Sequence, residues 1–326
     1  MLVETDSDGE VVDQRRIAND PKLVAEAVAS ILERDEVDDV HVVLEATYGW
    51  YWAADVLAAS GANVHLAHPL GVAAFSNRRV KNDWLDAKLL ADLLRTGTLA
   101  EAWIAPDEVR ELRELVRFRH KLVGLRTNLK DQVHAVLAKH GVAVAMTDLF
   151  GKAGREFLDE LVFPEGYQHR IRSCLRLIDT IDRQLTQINQ AIVRRVRHDP
   201  GWQAIQAIPG VGPVLAAVFV AEIGDVTRFD RPAQLCSWVG LTPRHRESDR
   251  KVARGPITKQ GSRLARWAAV EAAQRLPSGS KFASDFERIA ARRGRKIARV
   301  AIARQIVTYV YYGLRDGHVR AFAPTP

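Results

Sequence analysis

Three carboxylates occupy positions from which they could bind divalent metal ions. Glu45 ends an apolar, β-branched run at residues 42–44 that predicts a buried strand, and Asp83 and Asp86 lie three residues apart at the start of a helical pattern. Carboxylates that converge from a strand end and one helix face suit Mg²⁺ or Mn²⁺, which share their oxygen ligands with substrate phosphates. This pattern predicts phosphodiester chemistry. The structural alternative is a pair of helix-start Asp caps and a solvated Glu.

A serine in a basic segment is the second candidate. Ser248 lies in the polar stretch 240–261, which the sequence predicts as a loop between two helices. A hydroxyl nucleophile beside cations that take up developing charge is the arrangement expected where a phosphate is attacked. The alternative is a serine that only contacts a phosphate. The surrounding cations are Arg244, Arg246, Arg250, Lys251, Arg254 and Lys259.

Alternating strands and helices are predicted to position the carboxylates. A hairpin turn at residues 7–10 leads into a strand, and further strands are predicted at 39–44 and 62–67, with helices at 23–32, 49–59 and 83–94. This order indicates an α/β domain with a mixed sheet.

Two long helices are predicted next. Pro106 begins the first, which runs to about residue 140 and has one leucine-rich face and one basic face. The second, at about 167–197, carries a heptad seam that either packs on the first helix or forms an intermolecular coiled coil. The basic residues predicted to contact nucleic acid are Arg110, Arg113, Arg117, Arg126 and Lys130.

A glycine-rich turn precedes the apolar helix predicted at 214–223. Gly210 and Gly212 lie in the run Ile-Pro-Gly-Val-Gly at 208–212, which is typical of a helix-hairpin-helix turn whose backbone N–H groups meet a phosphate. A turn without a ligand is the alternative.

Charge and cysteine content restrict the class of protein. The 326 residues carry a net charge of +7. Residues 1–100 hold 9 basic against 17 acidic side chains, so residues 101–326 carry a net charge of +15. A polyanion contacted by the later part is therefore expected. The two cysteines have no metal-ligand spacing, and the longest apolar stretch, 211–223, is too short to span a bilayer. These features predict a cytoplasmic protein without membrane segments.

The order of these motifs resembles the DEDD transposases of the IS110 insertion-sequence family, to which Piv-type DNA invertases are related. The motifs that carry the resemblance are Glu-Ala-Thr at 45–47, His-Pro-Leu at 68–70, Lys-Asn-Asp-x-x-Asp-Ala at 81–87, the basic helix, the turn at 208–212 and Gly-Pro-Ile-Thr-Lys-Gln-Gly at 255–261. The resemblance implies an RNase H-like, RuvC-type domain at 1–104, a basic helical and coiled-coil region at 105–200, and a helical transposase domain at 201–326.

The resemblance also implies a mechanism and partners. Glu45, Asp83 and Asp86 take the places of the last three of four acidic metal ligands, and Ser248 takes the place of a nucleophile that forms a phosphoserine link with DNA. The implied partners are donor and target DNA, a structured guide RNA called the bridge RNA, and further copies of the chain in a homodimer or homotetramer. The implied location is the nucleoid.

Two departures from the family pattern leave alternatives open. No residue of this sequence occupies the place of the first aspartate, for which we expect a truncated or misassigned start, or decay of the element. Asp249 and Arg250 stand where the family often has glycines. The alternatives are a catalytically impaired nucleic-acid-binding remnant and a RuvC-like nuclease in which water attacks.

Overall fold

The chain divides into two units, Met1–Ala105 and Pro106–Pro326, and each has its own core. The computed structural model describes residues 1–34, 37–75, 82–248 and 251–322. The first unit contains β1 (Leu2–Thr5), β2 (Val11–Arg15), α1 (Pro21–Leu32), β3 (His41–Glu45), α2 (Trp50–Ala59), β4 (Asn63–Ala67), α3 (Pro69–Val72) and α4 (Asp83–Arg95). The second contains α5 (Asp107–Lys139), α6 (Lys152–Glu160), α7 (Glu165–Val196), α8 (Pro200–Ile205), α9 (Pro213–Ile223), α10 (Pro232–Trp238), β5 (Pro243–Ser248), β6 (Lys251–Ile257), α11 (Arg263–Ala272), α12 (Lys281–Arg293) and α13 (Arg295–Asp316). No helix in these ranges has the length and apolar character needed to cross a bilayer.

The first unit follows the predicted alternation of strands and helices. β1 and β2 pair antiparallel across a turn in which Asp6 Oδ1 accepts the backbone N–H groups of Asp8 and Glu10. β3 and β4 pair in parallel, and Glu45 ends their ladder opposite Ala67. Because parallel neighbours require a crossover connection, α2 returns the chain from the end of β3 to the start of β4.

The two ladders do not merge into the single mixed sheet that the sequence predicts. In the described residues β1–β2 and β3–β4 are separate two-stranded sheets, and β4 gains one antiparallel bridge between Ala67 and Glu101. α4 packs on both β1 and β3, so side chains connect the ladders. The strand positions are confirmed and the single sheet is wrong, because periodicity identifies a strand but not the neighbour with which it pairs.

The long helices of the second unit pack along each other. The heptad seam of α7 packs into two hydrophobic cores. α5 packs along α7 and contributes Leu112 to one of these cores and Val133 to the other, among other residues. The seam is therefore covered within one chain, which is the intramolecular alternative. The buried seam residues are Cys174, Ile178, Leu185, Ile188 and Ile192, with Ile181 half-buried beside them.

α9 forms the centre of the larger core. Its residues from Leu215 to Ile223 are buried except for half-buried Val220, and α5, α7, α8 and α11 pack around it. A helix that is apolar on every side is stable only when neighbours cover all of its faces. Glu222 is the single buried charged residue among those described, so it requires a partner.

The serine-bearing segment forms a hairpin rather than the predicted loop. β5 and β6 pair antiparallel from Pro243 opposite Ile257 to Ser248 opposite Lys251, with a bulge near Pro243. The loop prediction is wrong because a two-stranded ribbon tolerates charged residues that would not be expected in a core strand, and Arg244, His245 and Glu247 of β5 are exposed.

Candidate functional site

The carboxylates of the first unit lie on the elements predicted for them. Glu45 is exposed at the end of β3. Asp83 is exposed and Asp86 half-buried in the first turn of α4, whose N-cap Asn82 accepts the backbone N–H of Trp84 at 3.0 Å. Because α4 packs on β3, one strand and one helix present the three side chains. Lys81, which belongs to the same motif, lies outside the described residues.

The three carboxylates have the donor atoms that a divalent cation binds, but they do not form a compact ligand cluster. All three offer hard oxygen donors. Within the described ranges, however, no group of three or more His, Cys, Asp or Glu side chains is close enough to hold a metal ion. Mg²⁺ commonly takes one or two protein carboxylates and completes its coordination with water and substrate phosphate. One or two of the three carboxylates would therefore suffice for a cation that also binds substrate phosphate.

A histidine row on β3 and β4 was not predicted from the sequence. His41 Nδ1 contacts His65 Nε2 at 2.9 Å, His41 Nε2 contacts Asp39 at 3.0 Å, and His65 Nδ1 contacts Glu101 at 3.1 Å. Each ring contacts the other ring through one nitrogen and a carboxylate through its second nitrogen, and the tautomers decide which atom donates in each contact. The two histidines lie in strands 24 residues apart, and only the parallel register brings them together.

The structure places Ser248 at the end of β5, where it pairs with the first residue of β6. Arg244 on the same strand is exposed. Arg250 lies outside the described residues. The structure describes only the backbone of Arg246, Ser248, Lys251 and Arg254.

The foot of the hairpin, residues 238–242 and 258–261, is tightly built. Lys259 has a φ of 58°, the one positive φ of a non-glycine residue in the described ranges, and its N–H donates to the carbonyl of Gly240 at 3.1 Å. A Cβ on Gly261 would lie 1.7 Å from the Trp238 carbonyl oxygen. The Arg266 guanidinium donates across the foot to the carbonyls at 239 and 260. The backbone strain at Lys259 is therefore held by close contacts on both strands of the foot, and the Lys259 side chain is exposed.

The basic face of α5 is held largely by contacts within the second unit. Arg113 donates to the backbone carbonyls of Ala221 and Glu222, and Arg117 forms a bidentate pair with the Glu222 carboxylate at 2.7 and 3.1 Å. Ser262 Oγ donates to the same carboxylate at 2.8 Å. The other predicted cations also have partners: Arg110 pairs with Asp107, Arg126 with Asp182, and Lys130 lies over the Phe150 ring. These contacts within the protein give each of the five cations a structural role that does not require a bound phosphate.

The glycine-rich turn between α8 and α9 lines an open pocket of about 660 Å³. Gly210 has a φ of 87°, and a Cβ there would lie 2.3 Å from the carbonyl oxygen of Ala272. Gly212 is the N-cap of α9. The pocket is also lined by Arg275, whose side chain is 72% exposed and pairs with Glu271. Sequence reasoning missed Arg275 because it lies more than 60 residues from the turn.

Two family profiles match the chain. Residues 2–141 match the IS110-type DEDD domain described as "Transposase", and residues 202–284 match the profile described as "Transposase IS116/IS110/IS902 family".

Individual relatives agree with these profiles. The protein y4qE of Sinorhizobium fredii is 30% identical over 60% of this chain and 48% of its own length. The transposase for insertion sequence element IS1111A of Coxiella burnetii is 26% identical over 80% of this chain and 74% of its own length. An uncharacterized protein of insertion element IS116 from Streptomyces clavuligerus is 24% identical over 99% of this chain and 93% of its own length. The chain thus spans about half the length of the Sinorhizobium relative and most of the other two.

Proposed function

Because the chain belongs to the IS110 family of insertion-sequence transposases, we propose that it cuts and rejoins DNA through Ser248. The observation that supports this most is the position of Ser248 at the end of β5, in a hairpin whose foot contains the strained backbone of Lys259 and its hydrogen bond to Gly240. A nucleophile on a strand is positioned more precisely than one on a loop. The proposal extends to an RNase H-like fold for the first unit.

The proposed step conserves phosphodiester bonds. Ser248 Oγ attacks the phosphorus, its proton leaves, and a serine–phosphate bond forms as the bond to one sugar oxygen breaks and that oxygen takes up a proton. Attack on the serine–phosphate bond by a sugar hydroxyl then restores a DNA phosphodiester and free serine, so no nucleotide cofactor is consumed. The exposed cations Arg244 and Lys259 would stabilise the charge that develops on the phosphate oxygens.

Glu45, Asp83 and Asp86 are the residues we propose as ligands of Mg²⁺ or Mn²⁺. A bound divalent cation would supply Lewis-acid stabilisation of the phosphate and its leaving oxygen. The variants Glu45→Gln, Asp83→Asn and Asp86→Asn keep side-chain size and remove the charge. We expect each to lower Mg²⁺-dependent DNA cleavage, while Asp55→Asn, at an exposed position of α2 in the same unit, should not.

The proposed partners are donor and target DNA, a structured guide RNA and further copies of the chain in a dimer or tetramer, with action at the nucleoid. The uneven charge supports a polyanionic partner, since the chain beyond residue 100 carries a net charge of +15. Light scattering of the chain with and without RNA would measure the assembly. A monomer under both conditions would contradict the oligomer proposal.

A covalent adduct assay tests the nucleophile. The full chain is incubated with labelled donor DNA, guide RNA and Mg²⁺, and a protein–DNA adduct that survives denaturation is measured. Ser248→Ala should abolish the adduct, while Ser278→Ala, at an exposed serine, should leave it unchanged. An adduct that persists in Ser248→Ala means that this serine is not the nucleophile.

A second candidate is a nucleic-acid-binding protein or a metal-dependent nuclease that uses water. The net charge of +15 beyond residue 100 favours nucleic-acid binding whether or not Ser248 takes part in chemistry. A nuclease would cleave DNA equally well with Ser248→Ala, and a binding protein would retain DNA without cleaving it in either Mg²⁺ or Mn²⁺.

A further inference from the structure

The corner between α12 and α13 is a strongly cationic surface to which the proposed chemistry assigns no role. From residue 288 to residue 299 the sequence has six cations and no acidic residue. Residues 291–297 are all exposed. The six cations, which we name the basic corner, are Arg288, Arg292, Arg293, Arg295, Lys296 and Arg299.

Intramolecular pairing accounts for only part of the basic corner. Arg288 pairs with Asp285, and Arg295 pairs with Glu287 while its guanidinium lies over the Phe286 ring. Within the described ranges no ion pair is formed by Arg292, Arg293 or Lys296. Three exposed cations are therefore available to an external anion, in contrast to the basic face of α5.

Helix electrostatics do not explain the cluster as a whole. Arg292 and Arg293 lie in the last turn of α12, where cations favour the helix dipole. Arg295 and Lys296 lie in the first turn of α13, which contains no acidic residue and where cations oppose the dipole. A sequence selected for helix stability alone would not place cations on both sides of Gly294.

The corner is held by a rigid support. Phe282 and Phe286 of α12 and Ala298 and Ile302 of α13 are buried in the main core. Gly294 connects the two helices with a φ of 85°. Because packing fixes both helices, the backbone positions that carry the cations keep their spacing, and binding would require little ordering of the backbone.

The chemistry of the patch selects a duplex over a single strand. Single-strand sites need aromatic side chains on which bases stack. The exposed residues between the cations are Ala291, Gly294 and Ile297, none of which can stack on a base or read its hydrogen-bonding edge. Cations with no base-contacting side chains beside them are suited to the phosphate backbone of a duplex. We propose that the basic corner docks double-stranded DNA through its phosphates, an inference that rests on the proposed function.

The salt dependence of binding tests this proposal. For duplex DNA the slope of log Kd against log salt falls by about 0.9 for each phosphate that the protein no longer neutralises. The triple variant Arg292→Ala, Arg293→Ala, Lys296→Ala should flatten the slope by up to about 2.7. The variant Arg292→Lys, Arg293→Lys should retain it, because charge and not shape is needed.

The matched control removes three exposed arginines of α7, through Arg172→Ala, Arg176→Ala and Arg183→Ala. This triple should leave the slope unchanged while altering net charge equally. Equal flattening by both triples, or by neither, overturns the proposal, and a larger effect on duplex RNA than on duplex DNA overturns the choice of DNA. Circular dichroism excludes unfolding of either triple. Ser248→Ala should bind with the wild-type slope, so a failure of the serine chemistry is distinguishable from a failure of docking.

Discussion

Substitution of Arg117 tests whether the cations of α5 stabilise the fold or bind nucleic acid. Its guanidinium pairs through two hydrogen bonds with Glu222, whose side chain is 4% exposed. In Arg117→Met that carboxylate would keep one hydrogen bond from Ser262 and lose its counter-charge. A buried charge left without its partner destabilises the folded state, so the free energy of unfolding should fall.

The magnitude follows from the exposure of the pair. Removing one partner of a fully buried pair costs about 3–5 kcal/mol. The Arg117 side chain is 45% exposed, so water replaces part of the interaction and we expect about 2 kcal/mol. For a unit of this size that corresponds to a fall in Tm of about 4–8 °C. Replacing both members with methionine should recover most of the loss, because an apolar pair leaves no buried charge.

Two measurements on the same variants decide the question. Thermal unfolding gives the stability of Arg117→Met, Glu222→Met and the double variant, and fluorescence anisotropy gives their DNA affinity. We expect Arg117→Met to be the less stable single variant, since only it leaves a buried charge. An unchanged Tm together with weaker DNA binding would refute the structural reasoning and restore Arg117 as a phosphate contact.

Three further predictions concern the backbone and pH. Lys259→Gly should be about 1 kcal/mol more stable than Lys259→Ala in urea unfolding, because only glycine relieves the positive φ, and both should lose equal adduct yield if the charge matters. Gly210→Ala should cost about 3 kcal/mol, since its Cβ would meet the Ala272 carbonyl, whereas Gly212→Ala has open space and should change Tm little. Burial, and then two neighbouring arginines, lower the pKa of His120 from 6.5, so the folded state disfavours its protonation. Stability should therefore decline as pH falls below about 6.5 and level off below the lowered pKa, and the pH dependence of Tm should weaken in His120→Gln.

Much of the fold follows from local sequence patterns. The helix that begins after Pro106, the heptad seam of α7 and the strand ending at Glu45 were predicted because periodicity and capping act over a few residues. The hairpin that carries Ser248 was missed because its charged residues lack strand periodicity. The metal and nucleophile roles of Glu45, Asp83, Asp86 and Ser248 stay predictions.

Tertiary structure decided which side chains meet. Arg117 and its partner Glu222 are separated by 105 residues, and the sequence alone made Arg117 one of several equivalent cations. The rings of His41 and His65 contact each other only because β3 and β4 pair in parallel register. Sequence by itself determined the family, the long helices and the candidate residue types, since motifs and periodicity are local. Packing determined which cations pair with a carboxylate and which remain exposed, because these pairs form between segments that are distant in sequence.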